Sequence, residues 1–172
     1  MHSLVLHPDC DPGPVRAVTA TIRPTAHGFD ANYRIEGDIG AIVIPAHAPS
    51  ARTDELWRTT CFEVFWQPDG GPAYSEFNFS PASRWAAYAF TGERDGRTDL
   101  AVPSIAIACS HDDRTLDLSA SIAAACPAPA RVALSVVVEA GDGALQYWAL
   151  KHPAGPPDFH AASVRIIPME PS

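Results

Sequence analysis

Lysine is almost missing from this chain: of 12 basic residues among 172, Lys151 is a lysine and the others are arginines. There is no basic run either, and a formal net charge of -8 disfavours an electrostatic grip on nucleic acid or on an anionic membrane. No segment approaches the roughly 18 consecutive apolar residues of a membrane-spanning helix. The opening MHSLVLHPDCDPGPVR has no cationic start, and His7, Pro8 and Asp9 interrupt its apolar stretch. A cleaved secretory signal is therefore not expected, and a cytoplasmic protein is. Cys10, Cys61, Cys109 and Cys126 form no C-x-x-C pair and read as reduced thiols rather than zinc ligands, with Cys61 and Cys109 as small core residues. No nucleophile elbow, phosphate loop or zinc-protease motif occurs, so no named reaction is supported.

Proline and glycine, in contrast, are plentiful at 17 and 11, and their scatter leaves no room for long helices. At 47% hydrophobic content, a chain of this length supports one domain, residues 1–172, burying roughly 70% of its unfolded surface. Short segments rich in β-branched and aromatic residues lie between the breakers. They are Val15 to Arg23, Phe29 to Glu36, Ala41 to Ile44, Thr60 to Gln67, Ala73 to Ser80, Trp85 to Thr91, Ser104 to Cys109, Thr115 to Ile122, Arg131 to Glu139, Ala144 to Leu150 and Ser163 to Ile167. Turn chemistry marks Pro68 to Gly71, Glu93 to Gly96 and Gly141 to Gly143, the last two at hairpin length. The expected fold is all-β, a two-sheet antiparallel β-sandwich of about ten to eleven short strands.

Residues two apart on a strand share a face. Phe62, Val64 and Trp66 therefore oppose Cys61, Glu63 and Phe65, while Phe77 and Phe79 oppose Tyr74, Glu76 and Asn78. If the two strands pair, Glu63 and Glu76 come together on a face that is polar and aromatic. Trp85, Ala87 and Ala89 likewise oppose Ala86, Tyr88 and Phe90, with space left beside the rings. Near the C-terminus, alternation puts Tyr147, Ala149 and Lys151 together and turns His152 away before Pro153. The lone lysine stands in QYWALKHPAGPPDFH, Gln146 to His160, among two histidines and Asp158, where an apolar strand meets a rigid loop, a common setting for a ligand contact. Trp66, Trp85 and Trp148, inside strands, read as core, whereas Trp57 sits in a loop approach. Arg58 beside it has Glu55 or Asp54 as a surface partner.

Three blocks, DELWRTTCFEVFW at Asp54 to Trp66, YSEFNFSPASRWAAYAF at Tyr74 to Phe90 and YWALKHPAGPPDFH at Tyr147 to His160, resemble bacterial stand-alone DOMON-like proteins, which are related to family-nine carbohydrate-binding modules. The resemblance covers roughly the central and C-terminal two thirds of the chain. It implies a β-sandwich whose relatives bind carbohydrate or haem. Sugar recognition needs apolar faces for stacking and polar groups for orientation. The ligand-binding set expected on this basis is Trp57, Arg58, Glu63, Glu76, Asn78, Tyr88, Tyr147, Lys151, His152, Asp158 and His160, with a sugar or glycan-related metabolite as partner. No catalytic group, metal or cofactor is expected. Haem ligation is the competing binding function, yet the methionines are only Met1 and Met169, which leaves His152 and His160 as axial candidates across a proline-rich loop. A two-histidine, one-carboxylate metal group from His152, His160 and Asp158 is a further alternative, as is a non-catalytic interaction module in which Lys151 is clamped to Glu76 or Asp158.

Overall fold

The computed structural model describes residues 1–170. Among them there is no α-helix, only 3-10 turns at Ile39–Ala41, Leu56–Arg58 and Ala162–Val164, and no helix is long and apolar enough to cross a membrane. The strands are β1 (His2–Leu6), β2 (Val15–Thr25), β3 (Gly28–Gly37), β4 (Ala51–Arg52), β5 (Cys61–Pro68), β6 (Tyr74–Phe79), β7 (Arg84–Phe90), β8 (Thr98–Asp99), β9 (Ser104–His111), β10 (Thr115–Ala123), β11 (Ala130–Glu139), β12 (Leu145–Ala149) and β13 (Ile167–Met169). Hydrogen bonding runs unbroken in the order β4-β7-β6-β5-β11-β12-β1-β2-β3-β10-β9, with β13 branching from β11 and β8 from β7. The pairings are antiparallel apart from the short parallel β4–β7 contact, so the molecule is one curled, mixed sheet with the form of a half-barrel.

The curl turns on β1, which is shared between two partners. Its first half pairs with β2, Leu4 opposite Val18, and its second half with β12, Leu6 opposite Trp148. The arms on either side fold towards each other because alternation gives each an apolar face. Phe29 and Tyr33 of β3 meet β5 and β6: Phe29 stacks on Trp66 at 5.6 Å and meets Phe77 edge-on at 5.1 Å, and Tyr33 donates to the Glu63 carbonyl oxygen at 2.7 Å. Leu116, Leu118, Val132, Leu134 and Val136 complete this core. Fully burying a large side chain of this kind contributes about 1.5–3 kcal/mol.

Strand pairing departs from the sequence expectation in several places, among them the unexpected two-residue strands β4 and β8. Ala41 to Ile44 is not a strand: the chain makes a 3-10 turn and a single bridge between Ile42 and Ala140, because Gly37 and Gly40 break the segment before alternation can build up. Ser163 to Ile167 divides into a 3-10 turn and β13. Conversely, β1 forms from MHSLVL, in which the pairing of alternate halves to strands far away in sequence supplies what local pattern does not. The cysteines are all free, Cys61 buried and Cys109 half-buried.

Candidate functional site

The arm containing β5, β6, β7, β11 and β12 has a second face, turned away from the core just described. Register aligns Ser135 with Glu63, Glu63 with Asn78 and Asn78 with Ala86, while Phe65 pairs with Glu76 and Glu76 with Tyr88. Glu63 and Glu76 are therefore diagonal neighbours, roughly 7 Å apart at Cβ by normal sheet geometry. Around them lies an apolar ring of Cys61, Phe65, Tyr74, Tyr88, Phe90, Val137 and Phe159. Four polar side chains, Glu63, Glu76, Asn78 and Ser135, are thus held at exposures of 4% or less in the middle of a greasy face.

Their hydrogen bonds satisfy only part of this cluster. Ser135 Oγ donates to Glu63 Oε2 at 3.0 Å and Asn78 Nδ2 to Glu76 Oε1 at 2.8 Å, leaving the buried Asn78 Oδ1 without a partner. Burial, followed by the nearby Glu76 charge, raises the Glu63 pKa to about 8. Burial also raises that of Glu76, against the Asn78 hydrogen bond and the charges of Arg97 and Arg94. These are the expected consequences of placing two carboxyl groups in a low-dielectric setting with no basic side chain bonded to either.

Glu63 and Glu76 line a cavity of about 490 Å³ whose walls include Trp57, Phe65, Tyr88, Phe90, Tyr147 and Phe159. Arg94, Arg97 and His160 also line it. Tyr74 organises one side: its hydroxyl accepts the Arg94 backbone N–H at 3.2 Å and lies 2.7 Å from His160 Nδ1. With that N–H as donor, the hydroxyl proton is assigned to His160 Nδ1, and the ring presents Nε2–H towards Glu76 Oε2 at 3.8 Å. Burial, then the Arg94 charge, lowers the His160 pKa to about 4, so the ring is neutral at physiological pH. The approach to Glu76 is then too long for a hydrogen bond and is not an ion pair.

Two loops bring the remaining groups. The turn after β7 puts Arg94 at φ 56° and Gly96 at φ 61°, and a Cβ on Gly96 would approach Thr91 Oγ1 to 2.1 Å, so glycine is required there. This tight turn directs Arg94 to Asp158 at 2.7 Å and leaves Arg97 over the Tyr88 ring at 5.0 Å. The loop following β12 is pinned by Arg165, whose guanidinium lies 4.0 Å over Tyr74, donates to the His160 carbonyl oxygen at 2.6 Å and reaches Gln67 Oε1 at 3.0 Å. Phe159 packs against Tyr147, with centroids 6.0 Å apart.

Of the residues named from the sequence, Trp57, Glu63, Glu76, Tyr88, Tyr147 and His160 are in the cavity lining, and Asn78 braces it from beneath. Lys151 is not part of that lining: β12 ends at Ala149, and the lysine is exposed beyond the strand alternation that was to place it beside Tyr147. Among the described residues it forms no ion pair; Asp158 is paired with Arg94, and Glu76 faces Asn78 and His160. His152 sits behind the wall, Nε2 on the Val5 carbonyl oxygen at 2.9 Å and its ring 4.7 Å edge-on from His7. Arg58 stacks on Trp57 at 5.3 Å and pairs with Glu55 at 2.9 Å. No group of three His, Cys, Asp or Glu side chains suited to a metal exists among the described residues. Phe65 and Phe90 share faces with Glu63 and Tyr88 and were open to the same alternation argument. Arg94 and Arg97 arrive by loop folding and left no sequence signal, while Phe159 lies in the Gln146 to His160 segment marked from the sequence without being named there.

No protein-family model matches the chain, and no curated protein does. Among solved structures, it is similar to a "putative carbohydrate-binding protein" from Bacteroides uniformis, with a TM-score of 0.68 at 15% identity, covering 96% of this chain and 83% of the other. At that identity the likeness establishes a shared all-β fold.

Proposed function

We propose that this protein is a small-ligand-binding domain whose cavity takes a carbohydrate or a glycan-related metabolite. The observation that carries the reading is the buried Glu63–Glu76–Asn78 cluster at the base of an aromatic-walled cavity of about 490 Å³. Rings on the wall suit the C–H faces of a pyranose, and buried acceptors suit its hydroxyl donors, an arrangement of apolar faces with few placed polar groups. The name of the Bacteroides uniformis neighbour, a fold match over nearly the whole chain, agrees with this reading. The three DOMON-like blocks agree as well: two of them contribute the β5–β7 floor and the third the β12 wall. The fold is then a DOMON-like sandwich, with β1 joining its two sheets.

A thermal-shift screen of neutral sugars, amino sugars, sugar acids and nucleotide sugars tests the proposal. A ligand at 100 times its dissociation constant adds about 2.7 kcal/mol of stability, and this gain is expected to be reduced in Trp57→Ala and in Glu76→Gln. A sugar-induced shift that is undiminished in both variants would place binding elsewhere.

A further inference from the structure

Taking the carbohydrate-binding reading as its basis, we propose that the preferred ligand carries a primary ammonium group, as an amino sugar does, and that this group is seated at Glu63 and Glu76. The argument is one of donors and acceptors. Glu63 has Ser135 as its hydrogen-bond donor and Glu76 has Asn78, so two carboxylate groups, with up to four acceptor oxygens, receive two donors. Asn78 Oδ1 adds a third unpaired acceptor in the same buried cluster. Buried carboxylates are ordinarily paired with a cation or several N–H groups. Here the single nearby ring nitrogen, His160 Nε2, stops at 3.8 Å from Glu76. An ammonium group brings three donors and one positive charge, matching what the floor lacks in both number and sign.

The walls favour the same group. Phe65, Tyr88, Phe90, Tyr147 and Phe159 bound the cavity, and aromatic faces attract a desolvated cation. The charges that face the floor from other elements, Arg94 and Arg97, act on Glu76 through space without bonding to it. Arg94 is matched by Asp158 at 2.7 Å, and Arg97 lies on the Tyr88 ring. Arg165 is turned to Tyr74 and the His160 carbonyl oxygen. Each of these guanidinium groups thus has a partner of its own, and neither Glu63 nor Glu76 is hydrogen-bonded to a cation. Binding of the ammonium draws both carboxyl groups into their charged forms, so a proton held by the pair before binding is released to solvent.

Isothermal titration of glucosamine, glucose, N-acetylglucosamine and cyclohexylamine at pH 7, in two buffers of different ionisation enthalpy, tests this. The expected result is glucosamine binding at least about tenfold tighter than glucose and N-acetylglucosamine, with net proton release. The preference for glucosamine over glucose should be abolished in Glu76→Gln, a variant that keeps the side-chain shape, while its circular dichroism and melting remain native-like. Glucose equal to or better than glucosamine would overturn the ammonium assignment and leave carbohydrate binding standing. Cyclohexylamine equal to glucosamine would keep the ammonium seat and overturn the carbohydrate reading. No binding by any of the four at millimolar concentration would overturn both, and stabilisation by calcium or magnesium alone would replace the ammonium with a metal cation.

Discussion

Stability should fall between pH 6.5 and 8, and Glu63 should be responsible. An acid whose folded pKa is raised binds more protons in the native state than in the unfolded chain, so it contributes stability fully present below the unfolded value and lost as pH rises through the folded one. For Glu63 those limits are 4.5 and about 8. His160 acts in the other sense: its pKa falls from 6.5 to about 4, so its contribution is complete above 6.5 and lost as pH drops towards 4. Between 4.5 and 6.5 the two slopes, each about 1.4 kcal/mol per pH unit, oppose one another and leave a plateau. Above 6.5 the glutamate slope is unopposed for about 1.5 units, a loss of about 2 kcal/mol, to which the raised pKa of Glu76 adds in the same direction. For a chain of this size that corresponds to about 4–8 °C in melting temperature. Urea unfolding at pH 6 and pH 8 measures it. Glu63→Gln should reduce the decline by at least half and be the more stable protein at pH 8. Equal stability of the wild type at both pH values, or an undiminished decline in the variant, would show that the carboxyl group is not strained by its burial.

Four further outcomes are expected. Phe29→Ala removes a fully buried ring that stacks on Trp66 at 5.6 Å and should cost about 3–5 kcal/mol in urea unfolding. Tyr74→Phe leaves His160 Nδ1 without its 2.7 Å partner, a loss of about 1–3 kcal/mol; the same titrations read it, and NMR should show a changed His160 tautomer. Lys151→Ala, at an exposed position in no ion pair among the described residues, should stay within about 0.5 kcal/mol of wild type and leave ligand affinity unaltered by calorimetry. Trp57→Ala, at a ring 43% exposed on the cavity wall, should weaken ligand binding by calorimetry and leave the melting temperature within about 2 °C.

Much of the floor of the site was legible because a two-residue period is a local property. Alternation put Glu63 and Glu76 on one face on the condition that their strands pair, and the observed register of Phe65 with Glu76 meets that condition and makes them diagonal neighbours. Lys151 is conspicuous in sequence, yet it lies past Ala149, where β12 ends. Alternation has no force beyond a strand's last residue. Some of the groups that convert a polar face into a cavity were hidden for a different reason. Arg94 and Arg97 come from a tight turn, a placement that depends on long-range contacts with no periodic trace, whereas Phe159 and His160 lie in the Gln146 to His160 segment that the sequence marked, and what it left out of view is the anchoring of that loop by Arg165. The same holds for β1, whose two halves pair with strands far apart in the chain.

A second concavity, of about 520 Å³, lies elsewhere on the molecule among Pro24 to Gly28, Trp66, Ala123 to Cys126 and Met169. It offers an internal comparison for the proposed site. NMR titration of isotopically labelled protein with the amino-sugar and neutral-sugar panel distinguishes the two. Saturable shifts centred on Trp57, Glu63, Glu76, Tyr147 and His160 are expected. Shifts centred instead on His27, Gly28 and Cys126, or no saturable shift with any sugar, would contradict ligand binding on the carboxylate floor.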